Sequence, residues 1–230
     1  MGDLFGSLAK AYHDGGIGMH PILVSLVFVV TVLIDRIRVL YFSANIDKDA
    51  FLRGLKKHIY SGDLDKAISF TASQKKTPLT SVIKAGLINV PKGEQDVQAA
   101  MDEATLRESP RIERRTGYLA MLGNVATLLG LFGTIVGLIH AFAAVANANP
   151  ADKATILASS ISEAMNCTAF GLATAIPALV AYSLLQGRTQ HMVDEINETA
   201  VAVLNLIVTN KDKMKMPATV GAEAAVAEEA

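Results

Sequence analysis

Tryptophan is absent from this 230-residue chain, cysteine occurs once, and aromatic residues make up only 6% of the total. The lone Cys167 excludes an intramolecular disulfide and leaves no thiol pair for a cysteine-based zinc site. The five histidines, His13, His20, His58, His140 and His191, never stand at metal-ligand spacing. An HExxH pair, a Walker-type phosphate loop, a GxSxG elbow and a dinucleotide fingerprint are all missing, so the chain is not expected to be an enzyme or to hold a metal or cofactor. Charge is missing too over long stretches. No Asp, Glu, Lys or Arg occurs from Thr116 to Ala151, and Glu163 is the single charged residue from Ala154 to Gln186.

What is present is aliphatic. Ala, Leu, Ile and Val dominate and the mean hydropathy is +0.34, which suits long helices better than strands and mixes lipid-facing helices with a soluble portion. The expected fold is all-α, an integral membrane protein with three transmembrane helices and a helical cytoplasmic domain. A formal net charge of −1 hides a strong asymmetry, because 15 of the 21 Lys and Arg residues lie between Arg36 and Arg115 and four lie at or beyond Arg188. Interleaved with acidic residues and flanked by apolar runs, that basic segment reads as membrane topology and not as a nucleic-acid surface.

The first apolar run, Pro21 to Ile34, extended back to Ile17, is just long enough to span. Basic residues follow it instead of preceding it, so it reads as an uncleaved anchor and not as a signal peptide. The Lys and Arg flanks put the N-terminus outside and the C-terminus inside. The resulting division is an outer amphipathic N-terminus over 1–16, spans over 17–40, 117–146 and 154–186, a cytoplasmic helical domain over 41–116 and a periplasmic loop over 147–153. A cytoplasmic helix extension over 187–216 and a disordered tail over 217–230 complete it. At the N-terminus Leu4, Phe5, Leu8 and Tyr12 recur at helical spacing, as in an interfacial helix, with a frayed end as the other reading. In the cytoplasmic segment, Phe51, Leu52, Leu55 and Ile59, then Leu64, Ala67 and Ile68, give each helix one apolar face. From Glu94 the pattern is helical up to the membrane, with a kink expected at Pro110. Beyond the third span, Met192, Ile196, Val203 and Ile207 continue the helical pattern.

The spans carry more polarity than an anchor needs. Gly123, Thr127, Gly130, Thr134, Gly137 and Ala141 fall within about 60° either side of Thr134 at 100° per residue. This stripe is either a pore wall with hydroxyl oxygens for an ion or a close-packing seam, since Gly133-x-x-x-Gly137 lets two backbones approach. A carboxylate at Glu163 costs roughly 2.5 to 3.5 kcal/mol at mid-bilayer and less near the helix end, where an interfacial role is the alternative. Ser159, Ser160, Asn166, Cys167 and Thr174 share its arc of the helix. Thr168 points about 140° away from Glu163. Its hydroxyl either faces a lumen or bonds back to its own helix. Pro177 removes a backbone donor and should bend or loosen the third span.

Two stretches resemble the ExbB/TolQ/MotA family of ion-driven membrane motors, most closely its three-span ExbB/TolQ branch. Leu129-Gly130-Leu131-Phe132-Gly133-Thr134-Ile135-Val136-Gly137 looks like the family's second-span motif. Ile161-Ser162-Glu163-Ala164, continuing through Thr168-Ala169-Phe170-Gly171-Leu172-Ala173-Thr174-Ala175-Ile176-Pro177-Ala178, looks like its third-span motif. Asn166-Cys167 departs from it, standing where aliphatic and small residues are expected.

The resemblance implies that Thr134 and Thr168 line an ion path with Glu163 near its outer mouth. From the helical arcs, Thr127, Thr174 and Asn166 are expected to add to the lining, and Gly123, Gly130, Gly133, Gly137, Gly171 and Pro177 to serve helix packing. The resemblance also implies a homo-oligomer, five copies around two copies of an ExbD/TolR/MotB-like single-span partner whose membrane Asp carries the proton, in the bacterial inner membrane among lipid and without nucleic acid. The translocated species is H+ or Na+, and the work is mechanical, on the cell envelope. The polar residues would then describe a path between copies and not a pocket within one. A structural scaffold without conduction is the competing reading. An intramembrane protease is disfavoured, since His140 is the only histidine in the second or third span and has no serine on its own helix.

Overall fold

The computed structural model describes residues 15–16, 18–43 and 46–213. The expected N-terminal amphipathic helix at Leu4 to Tyr12 and the tail over 217–230 lie outside the described residues. Nearly all of the described residues are helical and none lies in a strand. They form α1 (Met19–Ile37), a π-helical turn (Arg38–Ser43), α2 (Lys48–Tyr60), α3 (Leu64–Ser73), α4 (Pro78–Asn89), α5 (Glu94–Glu113), α6 (Thr116–Ala146) and α7 (Lys153–Asn210).

The chain divides into two compact units, one made of the described part of Met1–Ile37 with Arg115–Gln186, the other of Arg38–Arg114 with the described residues from Gly187 onward. The second unit is built as a water-soluble domain is built. Asp47 caps α2 through Ala50 N–H and Asp63 caps α3 through Lys66 N–H, each satisfying a donor that the first turn leaves orphaned. Thr77 and Thr80 form a reciprocal capping box at the start of α4, with Pro78 in the first position, where its missing N–H does no harm. The turn between α2 and α3 needs a left-handed residue, and Gly62 supplies it at φ +73°. The apolar faces then meet. Phe51, Leu55, Ile59, Leu64, Val82, Ile83, Leu87, Val97 and Met101 are all buried, and the Phe51 and Phe70 rings stack at 6.1 Å between centroids. Met192, Ile196, Val203 and Ile207 of α7 are buried in the same unit, and Lys48 pairs with Glu198 at 2.6 Å.

Pro110, where a kink is expected, lies inside α5 and does not end it. α5 runs on through Glu113, and the break comes at Arg114 and Arg115, the latter in the left-handed region at φ 70°. Proline lacks only its own N–H and crowds the turn before it, so the helix is free to continue after it. Here one more turn forms, closed by the Arg114 N–H on the Pro110 carbonyl at 2.9 Å. Pro177 likewise lies inside α7, which runs unbroken for 58 residues.

The first unit inverts the usual arrangement. Phe28, Leu128, Phe132, Phe142, Met165 and Leu184 are exposed, while Gly123, Gly130, Gly133 and Gly171 are buried. α6 and α7 are each long and apolar enough to cross a membrane. Only 11% and 28% of their most apolar stretches is buried within the protein, so neither is the core helix of a soluble domain. α1 packs along α6, with Ser25 donating to the Leu122 carbonyl at 3.4 Å, and Met19, Ile22 and Cys167 form a small buried cluster.

Candidate functional site

Glycine decides how closely α6 and α7 approach. A methyl group on Gly171 of α7 would lie 2.8 Å from the Ala126 carbonyl oxygen and 3.0 Å from Gly130 Cα. One on Gly130 would lie 3.1 Å from the Cys167 carbonyl and 3.3 Å from Thr168 Cα. Gly133 and Gly137 face Cys167 and Ala164 in the same way, and Gly123 faces Leu179 and the Ala175 carbonyl. Backbone therefore meets backbone along most of this seam, the geometry that small residues permit between membrane helices.

That approach brings two hydroxyls together. Thr134 Oγ1 of α6 and Thr168 Oγ1 of α7 are hydrogen-bonded to each other, and both reach the Gly130 carbonyl, at 2.9 Å and 3.2 Å respectively. Three contacts share two hydroxyl protons, so both protons are taken up inside the triangle. Both threonines are half-buried, and with their protons drawn to the Gly130 carbonyl and to each other their oxygens keep lone pairs for a further donor. The pair is an acceptor site, suited to a cation, to water as donor or to a protonated acid.

Glu163 lies one helical face away from that pair. Its carboxylate borders a cavity of about 290 Å3 within this unit, also lined by Gly15, Phe132, Val136, His140 and Cys167. The Cys167 thiol donates to the Gly15 carbonyl at 3.2 Å. Thr134 and Thr168 are not among the residues that line this cavity. Gly16 lies against the Glu163 carboxylate from outside α7, a placement that the angle between Glu163 and Thr168 on their own helix does not reveal. At the far end of the same unit Asp35 pairs with Arg36 at 3.0 Å and Arg115 at 3.5 Å, gathering the basic flank.

The other sequence candidates are spread out. Thr127 is exposed and donates to the Gly123 carbonyl at 3.2 Å. Thr174 is buried and donates to the Phe170 carbonyl at 3.0 Å, and Asn166 is half-buried. Pro177 is exposed. Sequence reasoning missed the direct pairing of Thr134 with Thr168 and the involvement of Gly15, Gly16 and Gly18. The Gly-Gly-x-Gly spacing was the available signal for the second.

A seam of glycines between two membrane-length helices, a hydroxyl pair and a bordering carboxylate make up the candidate site. Residues 74–198 match the model of the MotA/TolQ/ExbB proton channel family, and the chain belongs to that family. It is 36% identical over 99 residues to the Tol-Pal system protein TolQ of Pseudomonas aeruginosa, a match covering 43% of this chain and 42% of that one. It is 32% identical over 138 residues to the biopolymer transport protein ExbB of Salmonella typhimurium, covering 54% and 56%. The chain thus spans about half the length of the curated relatives it matches. In fold it resembles the MotAB structure of C. jejuni, with a TM-score of 0.59 and 16% identity over 90% of this chain and 76% of that one.

Proposed function

We propose that this chain is the pore-forming subunit of an inner-membrane motor complex that uses the proton or sodium motive force to do mechanical work on the cell envelope. The hydroxyl triangle of Thr134, Thr168 and the Gly130 carbonyl carries this reading, because it gathers three oxygens from two membrane-length helices at one point where a cation or a protonated acid can be received. α1, α6 and α7 are the three spans. α1 is 19 residues and hence roughly 28 Å long, close to the hydrocarbon thickness. The N-terminus is periplasmic and the second unit cytoplasmic, following the basic flanks.

Five copies surround two copies of a single-span partner bearing a membrane Asp. Ions enter past Glu163, and neutralisation of the partner's Asp removes its charge penalty and lets it dock on the acceptor oxygens of one subunit before stepping to the next. Torque or pulling then passes to the envelope. Membership of the proton channel family supports the ion-driven part of this reading, and the relatives are by name a Tol-Pal system protein and a biopolymer transport protein.

The test is ion flow into proteoliposomes holding the chain with its co-purified partner. Thr134→Val, Thr168→Val and Glu163→Gln are each expected to lower flow about tenfold, the effect of losing roughly 1.4 kcal/mol of hydrogen bonding, while the complex still assembles. Assembly with undiminished flow in all three variants would leave the scaffold as the better reading.

A further inference from the structure

Three glycines at the start of the described chain lie near Glu163 and Cys167, about three to four turns into α7. A methyl group on Gly16 would overlap the Glu163 carboxylate oxygen, and Gly16 sits at φ +61°, where residues with side chains are rarely found. A methyl group on Gly18 would lie 3.0 Å from Cys167 Sγ and 3.5 Å from Gly133 Cα. Gly15 receives the Cys167 thiol through its carbonyl at 3.2 Å. Glu163 and Cys167 are four positions apart and so occupy one face of α7. The same face borders the cavity, whose lining includes Gly15 and Gly18.

We propose that Gly15, Gly16 and Gly18 are positioning residues for the Glu163 carboxylate. Their bare backbone forms the wall against which the carboxylate is set at the edge of the cavity, and the Cys167 thiol anchors that wall to α7. Any side chain at Gly16 displaces the carboxylate from the cavity, and any at Gly18 lifts the anchor. The inference rests on the reading of Glu163 as the outer carboxylate of the ion path. It also gives Cys167, which departs from the aliphatic and small residues expected at this point, a specific task as donor to the turn.

Ion flow and its pH midpoint, measured in proteoliposomes with the assembled complex, test this. Among the described residues, the titratable groups around the cavity are Glu163, Cys167 and His140, with His20 at the start of α1. Gly16→Ala is expected to lower flow about tenfold and to move the midpoint. Adding Glu163→Asp to Gly16→Ala is expected to recover a large part of the flow, because a side chain one methylene shorter clears the added methyl, whereas Glu163→Asp alone lowers it. Backbone strain at Gly16 by itself would show no such recovery. Gly18→Ala, whose methyl would meet the Cys167 sulfur at 3.0 Å and not overlap the carboxylate, is expected to impair flow less and to be relieved by Cys167→Ala, which removes that sulfur. Normal flow in Gly16→Ala and Gly18→Ala alongside impaired flow in Glu163→Gln would overturn the positioning role and leave the ion-path reading intact. Normal flow in Glu163→Gln would instead remove the ion-path role of Glu163, and this inference with it.

Discussion

The two units of this chain solve the packing problem with opposite materials. The second unit buries leucine, isoleucine, valine and phenylalanine behind capped helices, whereas the first buries glycine and alanine and turns its large apolar side chains outward. The difference follows from the solvent. In water, removing apolar surface drives helices together, at roughly 25 cal/mol per Å2. Among lipid tails that drive vanishes, and close backbone approach with a few hydrogen bonds must hold the helices. The same contrast locates function. In the first unit, the close approach that glycine allows also brings Thr134 and Thr168 together, so the packing seam and the candidate ion site are one construction.

If the contrast is right, adding volume should damage the first unit and removing it the second. Gly171→Leu carries the largest expected effect. Its neighbours are the Ala126 carbonyl and Gly130 Cα, backbone atoms that no rotamer change can move aside. Overpacking commonly costs about 1 to 3 kcal/mol where side chains yield, so here about 3 kcal/mol or more is expected. The readout is loss of the assembled complex on size-exclusion chromatography in detergent. Intact assembly would show that α6 and α7 are not held backbone to backbone. Ile83→Val is the counterpart in the second unit, at a fully buried side chain. Losing one methylene there should cost about 0.5 to 1.5 kcal/mol, seen as faster hydrogen exchange in α4 and α5 of the full-length protein with ion flow unchanged.

Much of this was legible in the sequence because each feature lives on a single helix. Uncharged runs mark α6 and the membrane part of α7, three- and four-residue spacing marks the buried faces of α2 and α3, and the 100° rotation gathers the glycine stripe. The family resemblance holds as well. The features that escaped all need two segments at once. Thr134 and Thr168 are 34 positions apart on different helices, and their meeting depends on the axial register of α6 against α7, which periodicity along one helix does not encode. The turn over Glu163 depends on chain almost 150 positions earlier. The break at Arg114 and Arg115 was missed for another reason. Arginine has no preference for a left-handed conformation, so composition pointed to Pro110 instead.

The smallest expected effect sharpens the comparison from the aqueous side, where charge and capping still matter. Asp63 caps α3, and the Lys66 ammonium beside it, together with the Lys66 backbone N–H, holds its carboxyl below the usual 3.8. A lowered carboxyl means that the folded state favours the charged form. The stabilisation is therefore fully present above 3.8 and fades as pH falls through the folded value. Asp63 is exposed and screened by solvent, so its effect is local, confined to the first turn of α3. Hydrogen exchange at Lys66 N–H, corrected for intrinsic rates, should be more protected in the wild type than in Asp63→Asn at neutral pH. That excess should shrink on acidification through and below 3.8, because asparagine caps without charge and leaves only the neutral hydrogen bond. Equal protection in both proteins at every pH would mean that the charge of Asp63 adds nothing to its cap, and that even the water-facing unit is held by burial alone.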